Sequence, residues 1–215
     1  MSDPLSVAAN TSRYLERYPE ETERLKPFLS FLQETNPTKY ALRSHSIGHV
    51  TTSGFLVSQS SGAVLLIYHL KLQRYLQPGG HVEEDKSLLA SALREIREEV
   101  GISGSGLILC QPDNCPIDID PHRIPADSRR NLPEHWHFDF RYLFKVTSEA
   151  EAAVVHQAEE VAHAEWFSWD SDLSEDCCRQ MLCLGYGLEL KVKLLLRKRV
   201  TATRISPSGC CFVRR

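Results

Sequence analysis

The clearest sign of a reactive site in this chain is a group of three glutamates within five residues. Residues three and four apart are neighbours on a helix, so the carboxylates of Glu95, Glu98 and Glu99 can converge. Converging carboxylates repel one another unless a cation lies between them, and an all-oxygen site favours Mg²⁺ or Mn²⁺. A glycine loop that leads into a helix adds backbone N–H groups, which suit phosphate. This combination indicates cleavage of a phosphoanhydride.

The segment that contains these glutamates, Gly80 to Ile102, resembles the Nudix box, G-x5-E-x7-R-E-U-x-E-E-x-G-U, where U is aliphatic. The matching residues are Gly80, Arg94, Glu95, Ile96, Glu98, Glu99, Gly101 and Ile102. The early glutamate of the pattern is absent, because its position is occupied by Lys86. The resemblance covers about residues 45–170 and implies a hydrolase that acts on acid anhydrides of phosphorus.

The resemblance also implies roles for single residues. Glu95, Glu98 and Glu99 would be the catalytic carboxylates and metal ligands, and Gly80 would add a backbone carbonyl to the Mg²⁺ or Mn²⁺ site. Arg94 would pair with a box glutamate and fix its rotamer. Water would then attack phosphorus. Without the rest of the box, the same glutamates would be interpreted as a charged solvent face of an amphipathic helix.

Lys86 leaves the anchoring role of the early glutamate open. Glu83, Glu84 or Asp85 could replace it. Alternatively, Lys86 could tighten phosphate binding or weaken activity. The alternative to an enzyme is therefore a catalytically weak or silent Nudix module that binds nucleotide or RNA as a regulator.

A second group of polar residues lies on a segment that alternates between polar and apolar side chains. The polar positions His135, His137 and Asp139, together with His122, could hold a transition metal, bind substrate phosphate or a base edge, or form a solvated sheet face. The surrounding sequence is similar to a bacterial Nudix subgroup without a settled substrate. In that subgroup this strand lies near the box, which favours substrate recognition.

Other histidines and acids receive weaker interpretations. His81 follows the box glycine and is expected to face the phosphates. His49 and His69 are interpreted as satisfied core or strand-end histidines. The base that activates water varies in the family, and Glu159 and Glu160 are candidates, with an exposed acidic turn as the alternative.

The predicted fold class is α/β, a Nudix α/β/α sandwich with a mixed sheet. We expect an N-terminal helical extension (1–44), a Nudix hydrolase domain (45–186) and a basic C-terminal segment (187–215). The predicted strands are His49–Val57, Ala63–His69, Tyr75–Gln77, Leu107–Cys110, His135–Val146 and Ala164–Trp169. The predicted helices are 11–34, divided at Pro27, a box helix from Lys86 capped by Asp85 and stopped by Gly101, and 172–185. Residues 111–134 are predicted to be a long loop.

Composition is that of a globular protein, with 42% hydrophobic and 25% charged residues, and indicates no membrane span and no signal peptide. Seven cysteines without metal-type pairs fit reduced thiols and a cytoplasmic location. The expected substrate is a nucleotide-type small molecule, and the resemblance allows a homodimer. Residues 191–215 contain eight Lys/Arg and no acid, so RNA is a possible partner, although a solvated or self-docking tail is the favoured interpretation.

Overall fold

The structure, a computed structural model, describes residues 5–128, 131–155, 161–168, 191–192 and 203–204. These residues form a mixed β-sheet with helices. The strands are β1 (Gly48–Ser58), β2 (Val64–His69), β3 (Arg74–Leu76), β4 (Gly79–His81), β5 (Leu107–Leu109), β6 (Asp118–Ile124), β7 (His135–Val146), β8 (Val161–Phe167) and β9 (Thr203–Arg204). The helices are α1 (Val7–Arg17), α2 (Lys26–Glu34), α3 (Leu88–Val100) and α4 (Ser148–Glu151).

Strand β1 organises the sheet. The order is β3-β2-β1-β7-β5-β9, with β4 also paired to β1, β6 to β7 and β8 to β2. The β1–β7 pair is parallel, whereas the other pairs of β1 are antiparallel. Every residue of β1 is buried, as expected for a strand with both faces covered. The predicted mixed sheet and α/β class are confirmed.

One face of the sheet carries the main hydrophobic core. Phe138 and Phe140 of β7 contact the ring of Phe28 on α2, with centroids 4.8 and 5.6 Å apart. On the same face, the Thr52 hydroxyl hydrogen-bonds that of Ser91 on α3 at 2.9 Å. The N-terminal helices and the box helix therefore cover the same side of the sheet and share one core.

The opposite face is divided between apolar and polar side chains. Side chains alternate along a strand, so Phe55 and Val57 of β1 point away from α3 and pack in a second apolar cluster with Val192. Further along β1, the same face carries His49, Thr51 and Ser53, which are also buried. This polar half of the face lies next to strands β4, β6 and β7.

The box helix begins later than predicted. Its N-cap is Ser87, whose hydroxyl accepts a hydrogen bond from the Ala90 N–H at 3.1 Å, so the prediction of Asp85 as N-cap was wrong. The physical reason is that the Asp85 carboxylate is bound elsewhere, by Arg94. Gly101 ends the helix in the left-handed region at φ 73°, as predicted.

The prediction of a long loop over residues 111–134 was also wrong, because this segment contains strand β6. Its prolines argued against a strand, since proline cannot donate to a ladder. Among the described strands β6 pairs with β7 alone, and an edge position tolerates Pro121. In the N-terminal region, α1 starts at Val7, earlier than predicted, while Pro27 lies at the start of α2 and divides the segment as predicted.

Several predictions fall outside the described residues. The helix at 172–185, the end of the last predicted strand at Trp169 and most of the basic segment are among them. Lys191 is described and buried, and its ammonium hydrogen-bonds Tyr14 and Glu21 of the N-terminal region. None of the helices within the described ranges combines the length and the apolar character needed to cross a membrane.

Replacing Ser87 by alanine removes the side-chain cap of α3 and leaves the Ala90 N–H without its acceptor. We expect Ser87→Ala to lower the free energy of unfolding by about 1 kcal/mol. Urea unfolding followed by circular dichroism measures the change. The exposed Ser44 supplies the control Ser44→Ala, and equal stabilities of the two variants would contradict the capping role.

Candidate active site

The box carboxylates lie against a glycine pair on β4. Glu99 is buried, and its carboxylate accepts a hydrogen bond from the Gly79 N–H at 2.8 Å. A Cβ added at Gly80 would lie 2.6 Å from Oε1 of Glu95, so only glycine lets that carboxylate approach the strand. The structure thus brings Gly80, Glu95 and Glu99 together at one edge of the sheet.

A single guanidinium, that of Arg94, joins the glutamates to their surroundings. Its Nη1 donates to Glu95 at 2.9 Å and to Glu98 at 3.0 Å. Its Nη2 donates to the His81 carbonyl at 2.8 Å and to Asp85 at 3.0 Å, and Nε donates to the same aspartate at 3.2 Å. Arg94 therefore fixes helix, loop and strand relative to one another.

Asp85 occupies the anchoring position that the missing box glutamate left open. Burial raises the pKa of its carboxyl, but hydrogen bonds from Arg94 and from the Glu83 N–H lower that pKa further, so the net shift is downward. Lys86, Glu83 and Glu84 are exposed. Of the acids suggested by the sequence, Asp85 is the one that contacts Arg94.

The donor set at this edge fits a hard divalent cation. Burial raises the pKa of Glu95, the Arg94 charge opposes that rise, and the nearby Glu98 adds to it. Glu98 is more open, with 41% of its side chain exposed. Three carboxylates and a glycine backbone that lies beside one of them form an all-oxygen set of the kind that Mg²⁺ and Mn²⁺ prefer.

Five histidines lie together on the polar face of the sheet, and we call them the histidine cluster. The strand register places His49 of β1 opposite His137 of β7, which lies opposite His122 of β6. The ring of His49 is 4.6 Å from that of His137, 5.0 Å from His81 and 5.2 Å from His135. The predicted His81, His122, His135 and His137 are thus brought together.

A buried charge network supports the cluster from the neighbouring positions of the same strands. The Arg141 guanidinium donates to Asp118, Asp120 and Asp139 at 3.2, 2.6 and 3.2 Å. Asp139 also accepts hydrogen bonds from two β1 hydroxyls, those of Thr51 and Ser53. Burial lowers the pKa of Arg141, but the three aspartates raise it further. With Asp139 5% and Arg141 7% exposed, the alternative of a solvated sheet face was wrong for these residues.

His49 is the site residue that the sequence interpretation missed. It is 2% exposed, and neither ring nitrogen has a hydrogen-bond partner among the described residues. His49 does lie near the start of β1, but the interpretation as a satisfied core histidine was wrong. Burial and the neighbouring rings lower its pKa to about 3, and the same causes lower that of His137 to about 2. Both rings are therefore neutral at physiological pH. The position of His49 beside β7 depends on a parallel pairing between strands that are far apart in sequence, which no local pattern reveals.

The backbone of His81 connects the two groups of residues. Its carbonyl is held by Arg94, while its ring lies in the histidine cluster. Glu159 and Glu160 lie outside the described residues, so the base that activates water stays a prediction.

Comparisons with known proteins identify the family. A family profile described as NUDIX domain matches residues 48–174. A Lactococcus lactis subsp. cremoris protein named as a probable DHNTP pyrophosphohydrolase is 30% identical over 135 residues, which cover 62% of this chain and 76% of the relative.

A solved structure supports the same fold. The binary complex of a Caenorhabditis elegans Ap4A hydrolase superimposes with a TM-score of 0.51 at 18% identity, covering 68% of this chain and 96% of the other. A NUDIX-family hydrolase from Clostridium perfringens has a TM-score of 0.43 at 24% identity, over 68% of this chain and 95% of its own. The predicted family, fold and hydrolase class are confirmed: the chain belongs to the NUDIX family.

Proposed function

We propose that the protein is a Mg²⁺- or Mn²⁺-dependent hydrolase that cleaves a phosphoanhydride in a nucleoside diphosphate linked to another moiety. The observation that carries this proposal is that Glu95 lies against Gly80 and Glu99 accepts a hydrogen bond from Gly79. The Arg94 guanidinium joins Glu98 to Glu95. The Lactococcus lactis relative is named as a pyrophosphohydrolase, which supports the same class of bond.

The chain's own groups hold the site for this reaction. Glu95, Glu98, Glu99 and the Gly80 carbonyl would bind the cation. A divalent cation bound there offsets the charge of the diphosphate and favours attack by water. Water adds its oxygen to phosphorus, the bridging P–O bond breaks, the two phosphate-containing products separate, and a proton is released.

The substrate is proposed to extend from the carboxylate site past His81 to the histidine cluster. Imidazole nitrogens can donate to phosphate oxygens or accept from base N–H groups, according to the tautomer. His81, His122, His135 and His137 are the proposed contacts. Asp139 already accepts three hydrogen bonds, so its proposed contribution is to hold the strands and Arg141 in place beneath the rings.

The structure weakens the reasons for the two alternatives. The silent regulator was motivated by Lys86, but Asp85 makes the contacts with Arg94 that an anchoring acid would make. RNA as a partner was suggested by the basic segment, yet its residue Lys191 is buried against Tyr14 and Glu21. We therefore favour a small nucleotide over RNA as the substrate. The homodimer stays a prediction from the family.

Replacing one buried ligand should abolish turnover without changing the fold. We expect Glu99→Gln to lower kcat/KM by roughly 100-fold or more, because a neutral amide is a poor ligand for a hard cation. Phosphate release from a panel of nucleoside diphosphate derivatives with Mg²⁺ or Mn²⁺ measures the effect. The control is Glu34→Gln, an exposed glutamate at the end of α2.

Two outcomes would speak against the proposal. Equal turnover by Glu99→Gln and Glu34→Gln would remove the carboxylate from the reaction. A folded wild type that binds nucleotide but turns over no compound of the panel would favour the regulator.

The adjacent residues Asp85 and Lys86 allow a matched test of the anchor. Asp85→Asn removes the charge that pairs with Arg94, so we expect kcat/KM to fall roughly 10- to 100-fold. Lys86→Gln changes an exposed side chain and should leave kcat/KM near the wild-type value. The same hydrolysis assay measures both variants. A larger loss in Lys86→Gln than in Asp85→Asn would show that the lysine, not the aspartate, serves the site.

A further inference from the structure

Three histidines of the cluster have the arrangement of a metal site of their own. One ligand nitrogen from each of His49, His135 and His137 lies within 4.8 Å of the others. We propose that these residues form a three-histidine site for a transition-metal ion such as Zn²⁺, separate from the carboxylate site of the box. This goes beyond the proposed hydrolysis, which needs only the hard cation at the glutamates.

The site lies on the face of the sheet that points away from the box helix. Thr52 faces α3, because its hydroxyl bonds Ser91 of that helix. Side chains alternate along β1, so Thr51 and His49 point to the other face. The box glutamates project from α3, whereas the three imidazoles come from β1 and β7.

His49 supplies the strongest evidence for a ligand. Its ring is almost fully buried, and neither nitrogen has a partner among the described residues. A buried polar atom without a partner destabilises a fold, and natural proteins rarely keep one without a reason. A metal bond would give one nitrogen a partner, and the other two rings lie where they can share that metal.

His135 is prepared for the same role by its backbone surroundings. Its Nδ1 lies 2.9 Å from the carbonyl oxygen of Pro133. An Nδ1–H that donates to this carbonyl leaves Nε2 as the atom able to bind a metal. Metal-bound histidines commonly have such a hydrogen bond at their second nitrogen, because it fixes the tautomer and the ring orientation.

The chemistry of the ligands selects the metal. Neutral imidazoles suit Zn²⁺, Cu²⁺, Ni²⁺ and Fe²⁺, while Mg²⁺ prefers oxygen. Zn–N bonds of about 2.0–2.1 Å in a tetrahedral site need ligand nitrogens about 3.3 Å apart. The partly exposed His135 and His137, at the start of β7, would close that gap by rotating their rings. Three protein ligands leave a fourth position open for water or a substrate oxygen.

The two remaining histidines of the cluster lie close enough to contact a substrate bound at that open position. His81 is 5.3 Å from His137, and His122 is 5.6 Å from it, measured between ring centroids. His122 in turn contacts the carboxylate of Asp120 at 2.9 Å. Substrate contact at His135 and His137 would then pass through the metal, while His81 and His122 contact the substrate directly.

The test measures metal content and needs no substrate. Full-length protein is stripped with a chelator, dialysed against Zn²⁺ and analysed by mass spectrometry for bound metal. We expect about one tightly held Zn²⁺ per chain, which is lost in His49→Ala and in His135→Gln. His163→Gln removes a histidine on β8 outside the cluster, and Glu99→Gln alters the box. Both controls should keep the Zn²⁺.

Cobalt replaces zinc for a second readout that reports the ligands. Co²⁺ bound by three imidazoles should give visible absorption bands in the wild type and in Glu99→Gln, and none in His135→Gln. His135 is only partly buried, so this variant serves even if His49→Ala fails to fold. Three results would overturn the proposal: no tight Zn²⁺ in the wild type, equal Zn²⁺ in folded His135→Gln, or loss of Zn²⁺ in Glu99→Gln.

Discussion

The arrangement of the active site depends on the Arg94 guanidinium. Its planar fork reaches Asp85 in the loop, Glu95 and Glu98 on the helix and the His81 carbonyl on β4. Burial lowers the pKa of Arg94, but the surrounding carboxylates raise it further, so the side chain stays charged. Without this cation, the carboxylates of Asp85, Glu95 and Glu98 would lose their shared partner and would repel one another.

The same arginine links the box to the polar face of the sheet. It fixes the backbone of His81, whose ring lies among the other histidines, and the parallel β1–β7 pair sets the position of those rings. On the neighbouring positions, Arg141 pairs with the buried Asp118 and Asp139 and with the half-buried Asp120. The protein therefore presents carboxylates on one side of β4 and imidazoles on the other, so the two proposed metal sites lie apart within one fold.

Local sequence patterns were sufficient for the parts of the site that a single element forms. Helical spacing places Glu95, Glu98 and Glu99 on the box helix, Gly101 ends that helix, and the alternation of β7 predicted its bounds, His135 to Val146. Asp85 could not be assigned in this way. It and Ser87 are both suitable N-caps, and the choice between them is made by Arg94, which lies a full two turns along the helix.

The other parts of the fold and the site depend on contacts between distant segments, so the local sequence could not predict them. Strand β6 contains a proline, which a strand tolerates at an edge position. That position is set by the pairing of β6 with β7 and cannot be seen in the local sequence. His49 could not be recognised from the local sequence. Its proposed role depends on His135 and His137, which are distant in sequence and adjacent in the sheet. Burial of the Asp139 and Arg141 side chains likewise depends on neighbouring strands that alternation alone does not specify.

The most direct test of the central role of Arg94 is the Mn²⁺ affinity of Arg94→Lys, measured by electron paramagnetic resonance of the free ion. Lysine keeps the charge but cannot reach Asp85, Glu95 and Glu98 at once. If the guanidinium positions the carboxylates, Mn²⁺ affinity should fall roughly 10- to 100-fold while the circular dichroism spectrum is unchanged. An affinity equal to that of the wild type in a folded Arg94→Lys protein would contradict the account.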